Sequence, residues 1–443
     1  MKPSGPGSKP TTGILGGGVS GVCLAAHLDA PFRLFEKAPR LGGLCASVIE
    51  RGFTFDAAGP HILFSKNKDV LQQMVAVLGD NVQQRRRENK IWFKGHFVKY
   101  PFENGLSDLP KEDCFECILG YLKNPWTKPP ENLEEWSYAT FGAGISDKYF
   151  LPYNRKIWNV EPSSITLDWV SRIPKPPLED VLKSAIGIST EGYLHQLYFY
   201  YPKRGGYESI VHAYAAQATG GELLTECPVT RIEGGPGAWL VEVGGDAHRF
   251  DTLISTLPIH ELARVWPGFP AQARSALSKL RYNSLICVLV GLNEDRGYPY
   301  TALYVPDPQI PFHRLSFPKN FSPECAPAGA SAMMAEITCA YDDEVWSRTD
   351  DDLVGDTIAK LVDMGLASAE TVSYTRVMRF RYGYPIYDHA YFQQTRQLRE
   401  AVAQTGLELL GRFAEFEYIN SDQCVERALS LANKLNGAKK ASE

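Results

Sequence analysis

The residues able to do chemistry lie in three separated stretches. Near the N-terminus, Gly16-x-Gly18-x-x-Gly21 directly follows an apolar run, Thr12 to Leu15, and opens a helical run with Ala25 four residues past Gly21. A second strand pattern, "FRLF", ends at Glu36, twenty residues after Gly16. Strand, glycine turn, helix, strand and acid together form a dinucleotide-binding pattern. Gly16 permits the tight turn, Gly18 lets backbone approach a pyrophosphate, and Gly21 and Ala25 let the helix lie close on the strand. The phosphates would meet the helix N-terminus at Val19 and Ser20, where free N–H groups and the dipole favour an anion. Glu36, followed by Lys37, can accept hydrogen bonds from ribose hydroxyls, and an acid there disfavours a 2′-phosphate.

The next stretch carries Arg40-x-Gly42-Gly43-Leu44 and then Gly59-Pro60-His61, where the strand pattern "GFTFD" breaks. Paired glycines give a second close backbone approach, and Arg40 adds charge. Gly59-Pro60 reads as a rigid turn that presents His61. The third stretch is C-terminal. "LELLGRFAEFEYINSDQCVERALSLANKL" reads as a strand, Gly411-Arg412, an aromatic loop and an amphipathic helix beginning near Asn420 to Asp422. Gln423 stands three residues after Asn420, as in a capping box.

From about residue 12 to 436 these segments resemble the FAD-binding family of amine oxidases, protoporphyrinogen oxidases and UDP-galactopyranose mutases. "GFTFDAAGPHILFS", "YNRKIWNVEPSSI" followed by "SRIP", and "GRFAEFEY" followed by Asp422 are most similar to the mutases. The resemblance implies FAD, with Arg40, Gly42, Gly43 and Leu44 along the pyrophosphate and ribityl chain. It implies the Val229 backbone at the adenine and Thr256 near the cofactor. Gly411, Arg412, Asp422 and Gln423 would close the flavin site, the last helix pointing its N-terminus at the flavin pyrimidine ring. Gly59, Pro60 and His61 would lie against the flavin. His61, Arg172 and Trp158 are the expected catalytic residues.

A nucleotide-sugar diphosphate needs guanidinium forks and aromatic walls. Arg155, Arg172 and Arg281 are the candidate forks, with Arg379 and Arg381 beside them, and Tyr153, Trp158, Tyr198, Tyr384 and Tyr418 the candidate walls. Two departures from the mutase pattern stand out. "ILFS" follows the Gly-Pro-His where a second histidine is usual, and "INSD" replaces an Asp-rich turn. Three functions stay open at this point. One is a redox-neutral pyranose–furanose isomerisation of a nucleotide sugar through reduced flavin, with NAD(P)H or another compound as reductant. Another is an oxidase or dehydrogenase, which predicts an apolar pocket without arginines. The third is a non-catalytic FAD-binding scaffold.

The elements that must position these groups follow an α/β plan: a Rossmann-type FAD-binding domain of the glutathione-reductase kind, interrupted by an α+β substrate domain. The expected FAD-binding parts are 12–95, 199–281 and 393–443, and the substrate parts 96–198 and 282–392, after a disordered tail, 1–11. With 443 residues, 44% of them hydrophobic, the chain can bury several cores. Its net charge is −5, and the only basic block, "RRR" at 85–87, reads as a solvated helix end; nucleic acid is therefore not an expected partner. The nine cysteines contain one C-x-x-C, Cys114 and Cys117, too little for a zinc site, so no metal is expected. No apolar run approaches the ~20 residues of a membrane span. The expected setting is cytoplasmic, the expected partner a small-molecule substrate. Oligomeric state is not legible.

Overall fold

The computed structural model describes residues 12–173, 175–190 and 197–440, without the side chains of 169, 171, 172 and 438–440. The tail 1–11 lies outside the described residues. Thr12–Leu15, buried along its whole length, pairs in parallel with Phe32–Phe35 on one side and Thr252–Ser255 on the other. Gly221–Leu224 and Glu408–Leu409 extend this to a five-stranded parallel sheet. Strands covered on both faces need apolar residues at every position rather than alternation, which is why "TGIL" and "TLIS" read as unbroken apolar runs. The first helix, Val19–His27, packs against Ser209–Gln217 and the last helix, Ser421–Lys440. A three-stranded antiparallel meander, Val229–Glu233, Trp239–Val243 and Asp246–Phe250, leads into Thr252–Ser255. The result is a Rossmann-like core whose strands come from three separate parts of the chain.

The second body is a seven-stranded sheet ordered Val372–Pro385, Tyr282–Leu292, Ser331–Cys339, Arg314–Ser316, Ala302–Tyr304, Asn89–Phe93, His96–Lys99. All its pairings are antiparallel except Ala302–Tyr304 with Asn89–Phe93. Beside it lie the helices Lys111–Leu122, Leu133–Ile145, Leu151–Trp158 and Leu178–Ala185. Glycines let two of them touch backbone to backbone: a Cβ at Gly142 would sit 2.0 Å from the Gly120 carbonyl oxygen, and one at Gly144 2.4 Å from that of Glu116.

Two expectations need correction. Arg85 and Arg86 are not at a helix end. They belong to the strand Val82–Arg86, paired antiparallel with Tyr198–Pro202; alternating exposure along that ribbon accommodates the charges. The hairpin 89–99, split by the expected boundary at 95, lies wholly in the seven-stranded sheet. Its turn, Lys94-Gly95 with both φ positive, is the type that keeps two strands together.

Candidate functional site

The glycine loop follows directly from the parallel sheet. Gly16 turns with φ +103°, and the Thr256 hydroxyl donates to the carbonyls of Leu15 and Gly16 at 2.9 and 3.0 Å. Gly21 has no room for a side chain, since a Cβ there would lie 2.3 Å from the Gly16 oxygen. A Cβ at Gly18, by contrast, would meet open space. Its backbone is thus free to receive a ligand. The two glycine stretches are adjacent: Gly42 N–H donates to Gly17 O at 2.9 Å, and Gly43 packs on the Gly18 backbone. The Glu36 carboxylate accepts from Gly17 N–H and Ala38 N–H, both at 2.8 Å. One lone pair on each oxygen remains for a hydroxyl donor. Val229 begins the meander strand just after Cys227, whose N–H bonds the Glu36 carbonyl at 2.8 Å.

Asp56 ties the Gly-Pro-His turn to the segments that carry Ser47, Tyr201 and Tyr207. It is buried and accepts from Tyr207 N–H (2.9 Å), Tyr201 OH (2.9 Å), His61 N–H (3.1 Å) and Ser47 OH (3.3 Å). Burial outweighs these donors and pushes its carboxyl up to about 6. Arg40 donates to Ser47 O at 2.6 Å and reaches buried Glu208 at 3.4 Å, so it braces the same knot of chain. The His61 ring stacks on Tyr207 with centroids 5.1 Å apart. The Tyr207 hydroxyl meets Ser421 Oγ, the first residue of the last helix, at 2.5 Å. Gln423 accepts from Asn420 N–H at 3.3 Å, the reach-back of a capping box. Asp422 is buried there, its carboxyl pushed up by desolvation.

Two guanidinium groups flank His61. Arg314 donates two hydrogen bonds to Glu336, 2.6 Å to each oxygen, and Glu336 is fully buried. This pair lies directly under Gly59, where a Cβ would come within 2.7 Å of Glu336 Oε2. Gly59, at φ +92°, therefore cannot be replaced without moving the turn. Arg412 follows Gly411, which packs on Ser20 of the first helix. It lies over the rings of Tyr418 and Tyr384, 4.4 and 5.0 Å from their centroids. Its Nε and Nη2 atoms, and Nδ1 of His61, are buried with no partner among the described residues. Such orphaned donors fit the polar rim of a bound ring system or an anion. Burial, then Arg412 and Arg314, pull His61 down to about 4, so its imidazole is neutral at physiological pH.

Aromatic rings pack around these groups. Tyr384 stacks on Tyr418 at 5.6 Å, and Trp158 packs edge-on against both. Trp158 is 2% exposed, its indole N–H directed to Asn154, so it stands behind the tyrosines rather than in front of them. Tyr153 packs edge-on against Tyr304, and Arg314 is close enough to Tyr153 and Tyr384 to affect both. Not every expected residue joins this group. Arg155 pairs with Glu161 at the surface, and Arg281 and Lys37 are exposed. Arg379 is tied to Asp350, and Arg381 to Tyr282 and Tyr341. Tyr198 is 55% exposed. The side chain of Arg172 lies outside the described residues.

Asp56, Arg314 and Glu336 are the members that sequence reasoning missed. One signal for them existed. A lone acid within the apolar strand "SAMMAEITC" demands a buried partner, and "HRLS" is the adjacent strand. A fourth missed residue, Lys156, donates to the carbonyls of Val305, Asp307, Ile310 and Phe312 at 2.7–2.9 Å. It thereby ties down the loop that leads to Arg314. Burial lowers its pKa to about 7, an effect the four carbonyls oppose by stabilising the ammonium.

The open Gly18 backbone, the helix N-terminus, Glu36 and the orphaned donors of Arg412 and His61 together fit a dinucleotide flavin. A family model described as "Flavin containing amine oxidoreductase" matches residues 19–410. Among solved structures, reduced UDP-galactopyranose mutase is similar with a TM-score of 0.87 at 24% identity, covering 97% of this chain and 96% of that one. Cyclohexylamine oxidase from Brevibacterium oxydans IH-35A is similar with a TM-score of 0.69 at 16% identity, covering 98% and 100%. A fatty acid isomerase from P. acnes gives 0.65 at 13%, covering 97% and 99%. At these identities the likeness is one of fold.

Proposed function

The chain belongs to the family of flavin-containing amine oxidoreductases and is a FAD enzyme of that superfamily; from that premise we propose that its substrate is a nucleotide-linked sugar, isomerised between pyranose and furanose forms. The observation that carries this reading is the convergence of Arg314 and Arg412 on His61 inside a tyrosine-walled cleft. The unpartnered Nε and Nη2 donors of Arg412 beside a neutral imidazole suit an anionic substrate such as a diphosphate ester, while the Arg314 charge is met by Glu336. The 0.87 TM-score to a mutase supports it.

FAD, when bound, supplies the covalent and electron chemistry. The chain supplies position and charge. Gly18, Val19 and Ser20 offer backbone N–H groups to the cofactor phosphates, and Glu36 accepts from its ribose. Gly59-Pro60 presents a flat backbone backed by the Arg314–Glu336 pair. His61 can exchange a hydrogen bond at its ring nitrogen without carrying charge. Tyr384 and Tyr418 wall the sugar or base side, and Arg172 belongs to the substrate side by resemblance.

The competing reading, oxidation of an amine, draws on the family description and on the cyclohexylamine oxidase fold. An amine cation would seek the faces of Tyr384 and Tyr418, but Arg412 already covers those rings. The test is direct. Dithionite-reduced protein is incubated anaerobically with UDP- and GDP-sugars and ring size is read by chromatography. A shifted pyranose–furanose ratio is expected. No change with any nucleotide sugar, together with amine-driven flavin bleaching and peroxide on aeration, would refute the proposal.

A further inference from the structure

Six acidic side chains are buried among the described residues: Asp56, Glu103, Asp113, Glu208, Glu336 and Asp422. Five of them are answered. Asp56 has its four donors, and Asp113 holds Lys94 and Lys148. Glu208 takes Ser47 N–H and Arg40, Glu336 takes Arg314, and Asp422 accepts from Ser65. Glu103, 6% exposed, is the exception. No side chain among the described residues donates to it and no cation among them acts on it; only its own backbone N–H stabilises its charge. Burial therefore pushes its carboxyl up to about 7. A desolvated acid without a donor is costly, and such a group calls for a partner of its own.

Aromatic rings link Glu103 to the candidate site. It lies in the short turn Phe102–Asn104, whose Phe102 ring stacks on Tyr149 at 5.0 Å. Tyr149 stacks on Tyr153 at 5.6 Å, Tyr153 meets Tyr304 edge-on at 5.5 Å, and Tyr304 faces Tyr100 at 4.8 Å. The Glu103 carboxyl acts on Tyr149, and the Arg314 guanidinium acts on Tyr153. Two stacked tyrosines thus stand between the unanswered acid and the charge beside His61. Tyr100, Tyr153 and Tyr304 are only half-buried, which leaves ring surface for a planar ligand.

On the premise, taken from the proposed function, that the substrate is a nucleotide-linked sugar, we propose that Glu103 reads its base and selects guanine over uracil. A carboxylate has two acceptor oxygens and no donor. Guanine carries two adjacent donors on one edge, N1–H and the N2 amino group, and these match the two oxygens in the bidentate manner of a guanidinium. Uracil has a single donor, N3–H, between two carbonyl oxygens, so pairing with it sets an oxygen against the carboxylate. Adenine and cytosine each place one amino group beside an acceptor ring nitrogen. Guanine alone among the four answers both oxygens of Glu103 at once. With the base there, the tyrosine stack leads the rest of the nucleotide towards Arg314, Arg412 and His61.

The test is calorimetric titration of the FAD-loaded full chain with GDP, IDP and UDP. IDP keeps N1–H and lacks the N2 amino group. GDP should bind about 10-fold or more tighter than IDP, and about 100-fold or more tighter than UDP. Glu103→Gln is isosteric; it keeps one acceptor and gains a donor, a pattern that fits the N3–H and O4 of uracil. It should weaken GDP about 10- to 100-fold, tighten UDP, and leave the flavin spectrum unchanged. A parent that binds UDP or IDP as tightly as GDP overturns the proposal and leaves a nucleotide-sugar substrate standing. A Glu103→Gln variant with the parent's GDP-to-UDP ratio does the same. A parent that binds none of the three diphosphates overturns both. The parent series decides without any variant, so poor folding of Glu103→Gln would not shield the proposal.

Discussion

The Arg314–Glu336 pair offers a quantitative test of the site's architecture. Glu336 is fully buried in the strand Ser331–Cys339, and both its oxygens are taken by Arg314 at 2.6 Å. Removing one partner of a buried pair strands the other charge, at a cost of about 3–5 kcal/mol. The two directions differ here. The Arg314 side chain is 22% exposed, against 0% for Glu336. Glu336→Leu leaves a guanidinium that can recruit water and should cost about 3 kcal/mol. Arg314→Met leaves a carboxylate with no access to water and should cost about 5 kcal/mol. Replacing both with methionine removes both desolvation penalties, so the double variant should lie within about 2 kcal/mol of the parent. The assay is urea unfolding of the apoprotein, followed by tryptophan fluorescence and circular dichroism so that coincidence of the two checks for intermediates. The double variant should fold, because it removes the buried charge together with its partner. Single variants each costing under about 1 kcal/mol, or a double equal to their sum, would refute the view of a buried charge anchor beneath Gly59.

Four further outcomes follow from particular contacts. Gly21→Ala places a methyl group 2.3 Å from the Gly16 carbonyl and should abolish FAD retention on gel filtration. Gly355→Ala, in an exposed helix with nothing within 4 Å, should instead raise stability by about 0.5–1 kcal/mol. His61 is held down at about 4 from an ordinary 6.5, so the unfolded chain binds the extra proton between those values. His61 therefore favours folding above 6.5 and loses that contribution as pH falls towards 4. His61→Gln should flatten the stability–pH slope in that window, as read by urea midpoints, and leave it unchanged above pH 7. Lys156→Met frees four carbonyls of the 305–312 loop and should make that loop the first site of limited proteolysis, with weaker nucleotide-sugar binding through a displaced Arg314.

The first glycine loop was readable because its requirements are local. Gly16, Gly18, Gly21 and Glu36 act through backbone shape and short spacing. The same holds for the final helix, whose start at Ser421 and reach-back from Gln423 need only neighbours. "RRR" was misread because strand pairing with 198–202 is a contact across more than a hundred residues, and no short window contains it. Which arginines meet at the Gly-Pro-His turn was not legible for the same reason. Arg155 and Arg281 sit in stretches as suggestive as any, but the fold turns Arg155 to a surface glutamate and leaves Arg281 exposed. Arg314, unremarked in sequence, is carried to the Gly-Pro-His turn by an inner strand of the seven-stranded sheet.

From residue order alone came the dinucleotide fingerprint and the α/β plan. Folding decided which charges meet at the Gly-Pro-His turn. Arg314 from one sheet, Arg412 from the closing segment and His61 from the first third of the chain converge on one cleft, and Glu336 keeps one of those charges in place. Electrostatic interaction in a desolvated cleft depends on distance through space, and distance along a chain says little about that once the strands have crossed.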